Sequence, residues 1–196
     1  MITGDIIFTQ LGSATNAISS VTEGYKGARV NHVGIVIENP HGKFVLEAFP
    51  PEVRLTNINI FLKRSWSSYQ SPRYIVARLR TQYQHLLNEA LKYGLAQRNL
   101  PYDHRYLTDE AALYCTELLV DMFKHANGGS EFFAESPMSF RDTETGEVHE
   151  YWVRHYRDHF GMIVPEGEQG SNPGDMSKDE RLHIYDIVGD ITGYQP

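Results

Sequence analysis

The sequence predicts an α+β protein in which an antiparallel sheet packs against a helix that carries its one cysteine, Cys115. Three observations carry that expectation. The segments Val30 to Ile37 and Phe44 to Phe49 are rich in β-branched and aromatic residues and flank Asn39-Pro40-His41-Gly42, a turn composition, so they read as a β-hairpin. Cys115, Leu118, Leu119, Met122 and Phe123 recur at i, i+3, i+4, i+7 and i+8, which is one face of a helix. Further short apolar runs, Asp5 to Thr9, Tyr74 to Leu79 and Leu182 to Val188, supply the remaining strands.

In chain order, Asp5 to Thr9 is the first strand, and Ser13 caps a short helix over Ala14 to Val21 that ends before Gly24 and Gly27. The hairpin follows. Thr56 to Ser65 reads as a helix, Tyr74 to Leu79 as a strand, and Tyr83 to Gln97 as a helix with Leu86, Leu87, Ala90, Leu91 and Leu95 on one stripe, closed by Asn99 and Pro101. The helix bearing Cys115 stops at Asn127-Gly128-Gly129. Residues 132 to 160 are aromatic-rich without a readable period. Pro165 to Lys178 has the Gly, Pro and charge content of a mobile loop before the last strand. One domain is expected over residues 1–196, with 127–196 as a C-terminal elaboration that helps shape the substrate site.

Composition narrows the function classes. A formal charge of −7 without a Lys/Arg cluster disfavours nucleic acid, whose phosphates are bound by grouped cations. No apolar run approaches the roughly 20 residues of a membrane span. Met1-Ile2-Thr3-Gly4-Asp5 has neither the basic nor the apolar region of a secretory leader, so the reducing cytoplasm is the default expectation for a free thiol, with export if a leader has been removed. A lone cysteine forms no internal disulfide or multi-cysteine metal cage, which leaves reactivity or packing as its role.

Reactivity requires partners, and two are in view. By strand alternation His32 shares a face with Val30, Gly34 and Val36, and Gly34 leaves room for another group to approach the ring edge. Glu47 stands in the apolar run Val45-Leu46-Glu47-Ala48-Phe49, where an unpaired charge is expensive to bury. If Glu38 pairs with Lys43, Glu47 lies opposite Gly34 and one diagonal step, about 7–8 Å, from His32 on the same face. A slip by one residue separates them. A carboxylate on one ring nitrogen fixes the tautomer and frees the other nitrogen to take a thiol proton. The bland alternatives are a core histidine, a salt bridge from Glu47 to Arg78 or Arg80, and a Cys115 that merely packs. The start of the cysteine helix decides much. If Cys115 is in the first turn, the dipole and free amides favour a thiolate; if Thr108 caps the helix, with Asp109 and Glu110 in its first turn, Cys115 falls near mid-helix and loses that support.

These residues resemble the YiiX/YebB-like family, a circularly permuted branch of the NlpC-type papain-like hydrolases. The likeness lies in five motifs and their order: Gly4-Asp5-Ile6-Ile7-Phe8, a Ser/Thr-rich helix with Ala17-Ile18 and Thr22, Asn31-His32-Val33-Gly34-Ile35, Val45-Leu46-Glu47-Ala48, and Tyr102-Asp103 followed by Tyr114-Cys115-Thr116-Glu117-Leu118, over residues 4 to 126. Unpermuted papain-like enzymes place the cysteine helix before the histidine strand. The resemblance implies a permuted papain-like fold, Cys115 as nucleophile, His32 as base and Glu47 as orienting acid, with a peptide or acyl-lipid substrate and no cofactor. Thr116 stands where the family commonly has Ser and keeps the hydroxyl.

Other patterns are weaker. Tyr102 and Tyr114 are candidate substrate-contacting aromatics, although aromatics at this density also build cores. His155 and His159, four apart beside His149 and Glu150, have a zinc-compatible spacing if helical, but Arg154, Arg157 and Asp158 mark a solvated face. The resulting expectation is a thiol hydrolase or acyltransferase working through a thioester. The alternative is a catalytically silent module that binds a lipid or peptide in the same groove.

Overall fold

A computed structural model of the chain describes residues 1–12, 17–67, 70–108 and 111–196. Six strands form one antiparallel sheet: β1 (Ile6–Thr9), β2 (His32–Asn39), β3 (Gly42–Phe49), β4 (Glu52–Asn57), β5 (Tyr74–Leu79) and β8 (Leu182–Val188), in the order β4-β3-β2-β1-β5-β8. The hairpin takes the expected register, with Glu38 opposite Lys43 and Ile35 opposite Leu46. The expected strands Tyr74–Leu79 and Leu182–Val188 are found with those bounds.

The two sheet faces are covered differently. Ile6, Phe8, Val33, Ile35, Leu46 and Ile75 turn to the larger core, under α3 (Leu87–Ala96) and α4 (Cys115–Ala126). The α4 stripe Leu118, Leu119, Met122 and Phe123 is buried there, as its helical spacing requires. Helices α3 and α4 approach closely because Gly94 carries no side chain: a Cβ on it would sit 2.6 Å from Met122 Sδ and 2.8 Å from Leu46 Cδ2. Ile7, Val36, Val45 and Val76 turn to the opposite face and pack with Phe61 of α2 (Ile58–Lys63).

Two local expectations are corrected. Thr56 and Asn57 belong to β4 rather than to a helix, because Glu52 to Asn57 hydrogen-bonds along β3, with Thr56 opposite Val45 and Glu47 opposite Arg54; the helix begins at Ile58, capped by the Asn57 side chain. Residues 165–178 are not a loop throughout. They contain β7 (Gln169–Gly170), paired with β6 (Ser136–Pro137), and α6 (Pro173–Ser177), whose start is capped by Asn172 Oδ1 accepting from Asp175 N at 2.8 Å. Buried Ser177 accepts from Tyr25 N at 2.8 Å and ties α6 down. The first helix is described as α1 (Ala17–Val21); its expected cap, Ser13, lies outside the described residues. The aromatic-rich segment contains α5 (Glu150–Phe160).

Candidate active site

Cys115 is the first residue of α4 and His32 the first of β2. The helix does not begin at Thr108, because Leu113 is held extended: its amide donates to Pro101 O at 3.0 Å and its carbonyl accepts from Asp103 N at 3.1 Å. Asp109 and Glu110 lie outside the described residues. Cys115 therefore occupies the first turn, where backbone amides have no partner within the helix and the dipole favours negative charge. Glu117 braces this start by accepting from Tyr114 N at 3.3 Å.

The sulfur and the imidazole approach from different sides. Alternation places His32 and Glu47 on the α2 face of the sheet, whereas the apolar stripe of α4 packs on the other. Because each residue opens its element, the Cys115 side chain comes close enough to the His32 ring to raise its pKa. The ring nitrogen Nε2 lies 2.6 Å from Glu47 Oε2. Gly34 makes this possible. A Cβ there would lie 2.5 Å from Val45 Cγ1 and 3.3 Å from Glu47 Cβ, so the room beside His32 is filled by the neighbouring strand.

All three groups are nearly sealed from solvent, with 5% of Cys115, 3% of His32 and none of Glu47 exposed. Glu47 is nevertheless well supplied with donors. Thr56 Oγ1 donates to Oε1 at 2.5 Å, and Arg64 Nη2 reaches both oxygens at 2.6 and 2.7 Å. The anticipated alternatives for Glu47 are otherwise engaged, Arg78 with Asp5 at 2.7 Å and Arg80 with the Glu180 carbonyl at 2.7 Å. Arg64 follows α2, lies over the Phe49 ring at 3.9 Å, and carried no recognisable sequence signal. Burial disfavours charge on both His32 and Glu47, and their contacts outweigh it. Hydrogen bonds and charge from Cys115 and Glu47 raise His32 to about 9. Hydrogen bonding to His32, the charges of His32 and Arg64, and the Thr56 hydroxyl hold Glu47 below its ordinary value.

A cavity of about 170 Å³ opens beside Cys115. Tyr102 and Tyr114 both line it, together with Tyr106, whose hydroxyl accepts from Tyr102 Oη at 3.4 Å. Burial above all keeps these three phenols protonated, raising each above the usual tyrosine value. Tyr106 adopts φ = 53° in a turn where Asp103 accepts from Arg105 N at 2.7 Å and Leu107 N at 2.9 Å. The remaining apolar wall comes from Ile18 and Val21 and from Met138, Phe140 and Trp152 of the stretch that the sequence left unread. Thr116 also lines the cavity, and its hydroxyl donates to the Ser171 carbonyl at 3.0 Å.

The family model for the permuted papain-like amidase enzymes, YaeF/YiiX, C92 family, matches residues 1–184. The chain belongs to that family. Its fold is accordingly the permuted papain-like one, with the histidine strand before the cysteine helix, and the family is one of thiol hydrolases. Among solved structures, a crystal structure described as the metalloprotein YiiX from Escherichia coli O157:H7 is similar, at 18% identity and a TM-score of 0.72, over 94% of this chain and 96% of that one. The curated proteins yield no match. Among the described residues no group of three or more His, Cys, Asp or Glu side chains is placed to hold a metal ion. His155 and His159 do lie on one helix, α5, but His155 Nε2 is 2.7 Å from the His104 carbonyl and its ring stacks on Tyr151. No helix among the described residues is long and apolar enough to cross a membrane.

Proposed function

We propose that this protein is a cysteine amidase in which Cys115 is the nucleophile, His32 the general base and acid, and Glu47 the group that orients and charges His32. The observation that carries the reading is the placement of the imidazole, with Nε2 2.6 Å from Glu47 Oε2 and the Cys115 side chain close enough to raise its pKa. With Nε2 occupied by the carboxylate, Nδ1 is left for the sulfur, and the orientation needs no further group to fix it.

The chemistry follows. His32 takes the thiol proton, and the sulfur attacks the substrate carbonyl, forming a C–S bond. First-turn amides of α4 stabilise the negative oxygen. As the tetrahedral species collapses, the C–N bond breaks and the imidazolium returns its proton to the leaving amine. Water, deprotonated by His32, then cleaves the thioester and releases the acid and the free thiol. An alcohol or amine acceptor in place of water makes the same site an acyltransferase, and an ester in place of the amide makes it an acyl-lipid hydrolase.

The test is turnover of simple acyl anilides by the intact protein and by Cys115→Ala. The substitution is expected to abolish detectable turnover while the urea midpoint changes little, and mass spectrometry of the wild type during turnover should reveal an acyl adduct on Cys115. A folded wild type that turns over no amide or ester yet binds acyl ligands equally well with and without the sulfur would make the protein a binding module. Product transferred to added amine or alcohol, in preference to water, would establish acyl transfer.

A further inference from the structure

Cys115 lines its cavity and His32 does not. The imidazole reaches instead towards β3, where Nε2 meets Glu47 and the ring packs edge-on against Phe49, with centroids 5.3 Å apart. Two guanidinium groups lie over that same Phe49 ring, Arg64 at 3.9 Å and Arg54 at 5.3 Å. Among the described residues Glu47 is the only carboxylate bonded to either, and Arg64 shares it with His32. Arg64 Nε and Nη1 are buried without an acceptor, and Arg54 forms no ion pair, among those residues. Glu52, two positions away on the same face of β4, is not paired with it. We infer that Arg54 is a specificity residue, binding an anionic group, a carboxylate or a phosphate, carried by the leaving amine; the inference rests on the amidase reading and narrows it.

Position comes first. The imidazolium must give its proton to the departing nitrogen, so the leaving group lies on the imidazole side of the sulfur. Phe49 and Arg54 are half-buried there, while His32 and Glu47 are sealed. The two 5.3 Å contacts, Phe49 with His32 and Arg54 with Phe49, keep the Arg54 guanidinium within about 11 Å of the imidazole centre, a span covered by hydrogen bonds of about 3 Å at each end and one extended residue of about 3.5 Å between them. Charge comes second. Stacking on Phe49 holds the guanidinium in place, and an anionic leaving group gains there a charge-assisted hydrogen bond that a neutral one does not. In a chain of formal charge −7, two arginines around one shared carboxylate are a local surplus of cations.

The experiment gives the intact protein one acyl group on two matched pairs of amines, glycine against glycinamide and phosphoethanolamine against ethanolamine, and reads kcat/KM from the amine released. At low salt the anionic member of at least one pair is expected to exceed its neutral partner about tenfold or more. The excess should shrink at about 0.5 M salt, where screening shortens the reach of a partly exposed charge. A preference within the glycine pair assigns a carboxylate and one within the phosphoethanolamine pair a phosphate, and either supports the site. Arg54→Met should bring the ratio to about one, mainly through KM, and Arg54→Lys should restore part of it. Arg54→Glu should invert it. If Arg54→Glu fails to fold, the Arg54→Met ratio still decides. A wild-type ratio near one in both pairs, or an anionic preference that survives Arg54→Met, overturns the assignment of Arg54 while leaving the amidase intact. Absence of turnover on all of these amides and on the anilides by a folded protein overturns the amidase itself.

Discussion

Arg64 and Glu47 form a close ion pair in which one guanidinium nitrogen reaches both carboxylate oxygens, at 2.6 and 2.7 Å, while Glu47 has no exposed surface. A carboxylate so buried stays ionised only with compensation, and without Arg64 only His32 and the Thr56 hydroxyl would supply it. Arg64 thus supports the imidazole at second hand, through the charge it maintains on Glu47.

Removing that guanidinium should therefore cost stability and activity together. Arg64→Met is expected to destabilise the fold by about 1–3 kcal/mol by urea unfolding, the usual cost of stripping a partner from a buried charged group. It should also lower kcat more than KM. Arg64→Lys, which keeps the charge but not the planar group, should recover part of both. A kcat equal to wild type in Arg64→Met would show that Glu47 needs no such support.

The pH dependence of kcat/KM should report His32. Acylation needs the imidazolium to protonate the leaving amine, so the rate is expected to fall on the alkaline side with a midpoint near 9. Glu47→Gln removes one charge and weakens one hydrogen bond that raise His32, so the alkaline limb should move to lower pH. The rate itself should drop by about 100-fold or more. An alkaline limb unmoved by Glu47→Gln would mean that Glu47 does not tune the imidazole.

Stability should track the same two groups with opposite signs. His32 is raised from 6.5 to about 9 in the folded state, so its contribution is fully present below pH 6.5 and disappears as pH rises through about 9. Glu47 is lowered, so its contribution is present above 4.5 and disappears as pH falls through its folded value. Urea unfolding of wild type and His32→Gln should give a stability difference that shrinks between pH 6.5 and 9.5. A difference that is constant across that window contradicts the assignment.

Gly34→Ala offers a steric test away from any titrating atom. The added methyl would meet Val45 Cγ1 at 2.5 Å and the Leu46 carbonyl at 3.0 Å, and it would press on Glu47 Cβ at 3.3 Å. The expected cost is about 1–3 kcal/mol of stability from overpacking. Because Glu47 must shift relative to His32, the alkaline limb of the rate should move as well. Loss of stability with an unchanged pH profile would restrict Gly34 to packing.

What the chain determined by itself was whatever depends on local periodicity. A period of two puts His32 and Glu47 on one sheet face for any hairpin with the Glu38–Lys43 register, and a period of 3.6 places Cys115 on the stripe of Leu118, Leu119 and Met122. The order of the motifs also carried the family likeness, which the match over residues 1–184 bears out. Periodicity is blind to contacts between distant segments, and those decided the rest. The Pro101–Leu113 hydrogen bond, not the capping pattern at Thr108, started the helix at Cys115. Arg64, seventeen residues from Glu47, became its counter-ion only when α2 folded onto the sheet. Sulfur and imidazole, one on a helix packed against one sheet face and the other on a strand side chain turned to the opposite face, come together because each stands at the beginning of its element. Met138, Phe140 and Trp152 reach the cavity by long-range packing that buries their apolar surface, which no window along the sequence contains.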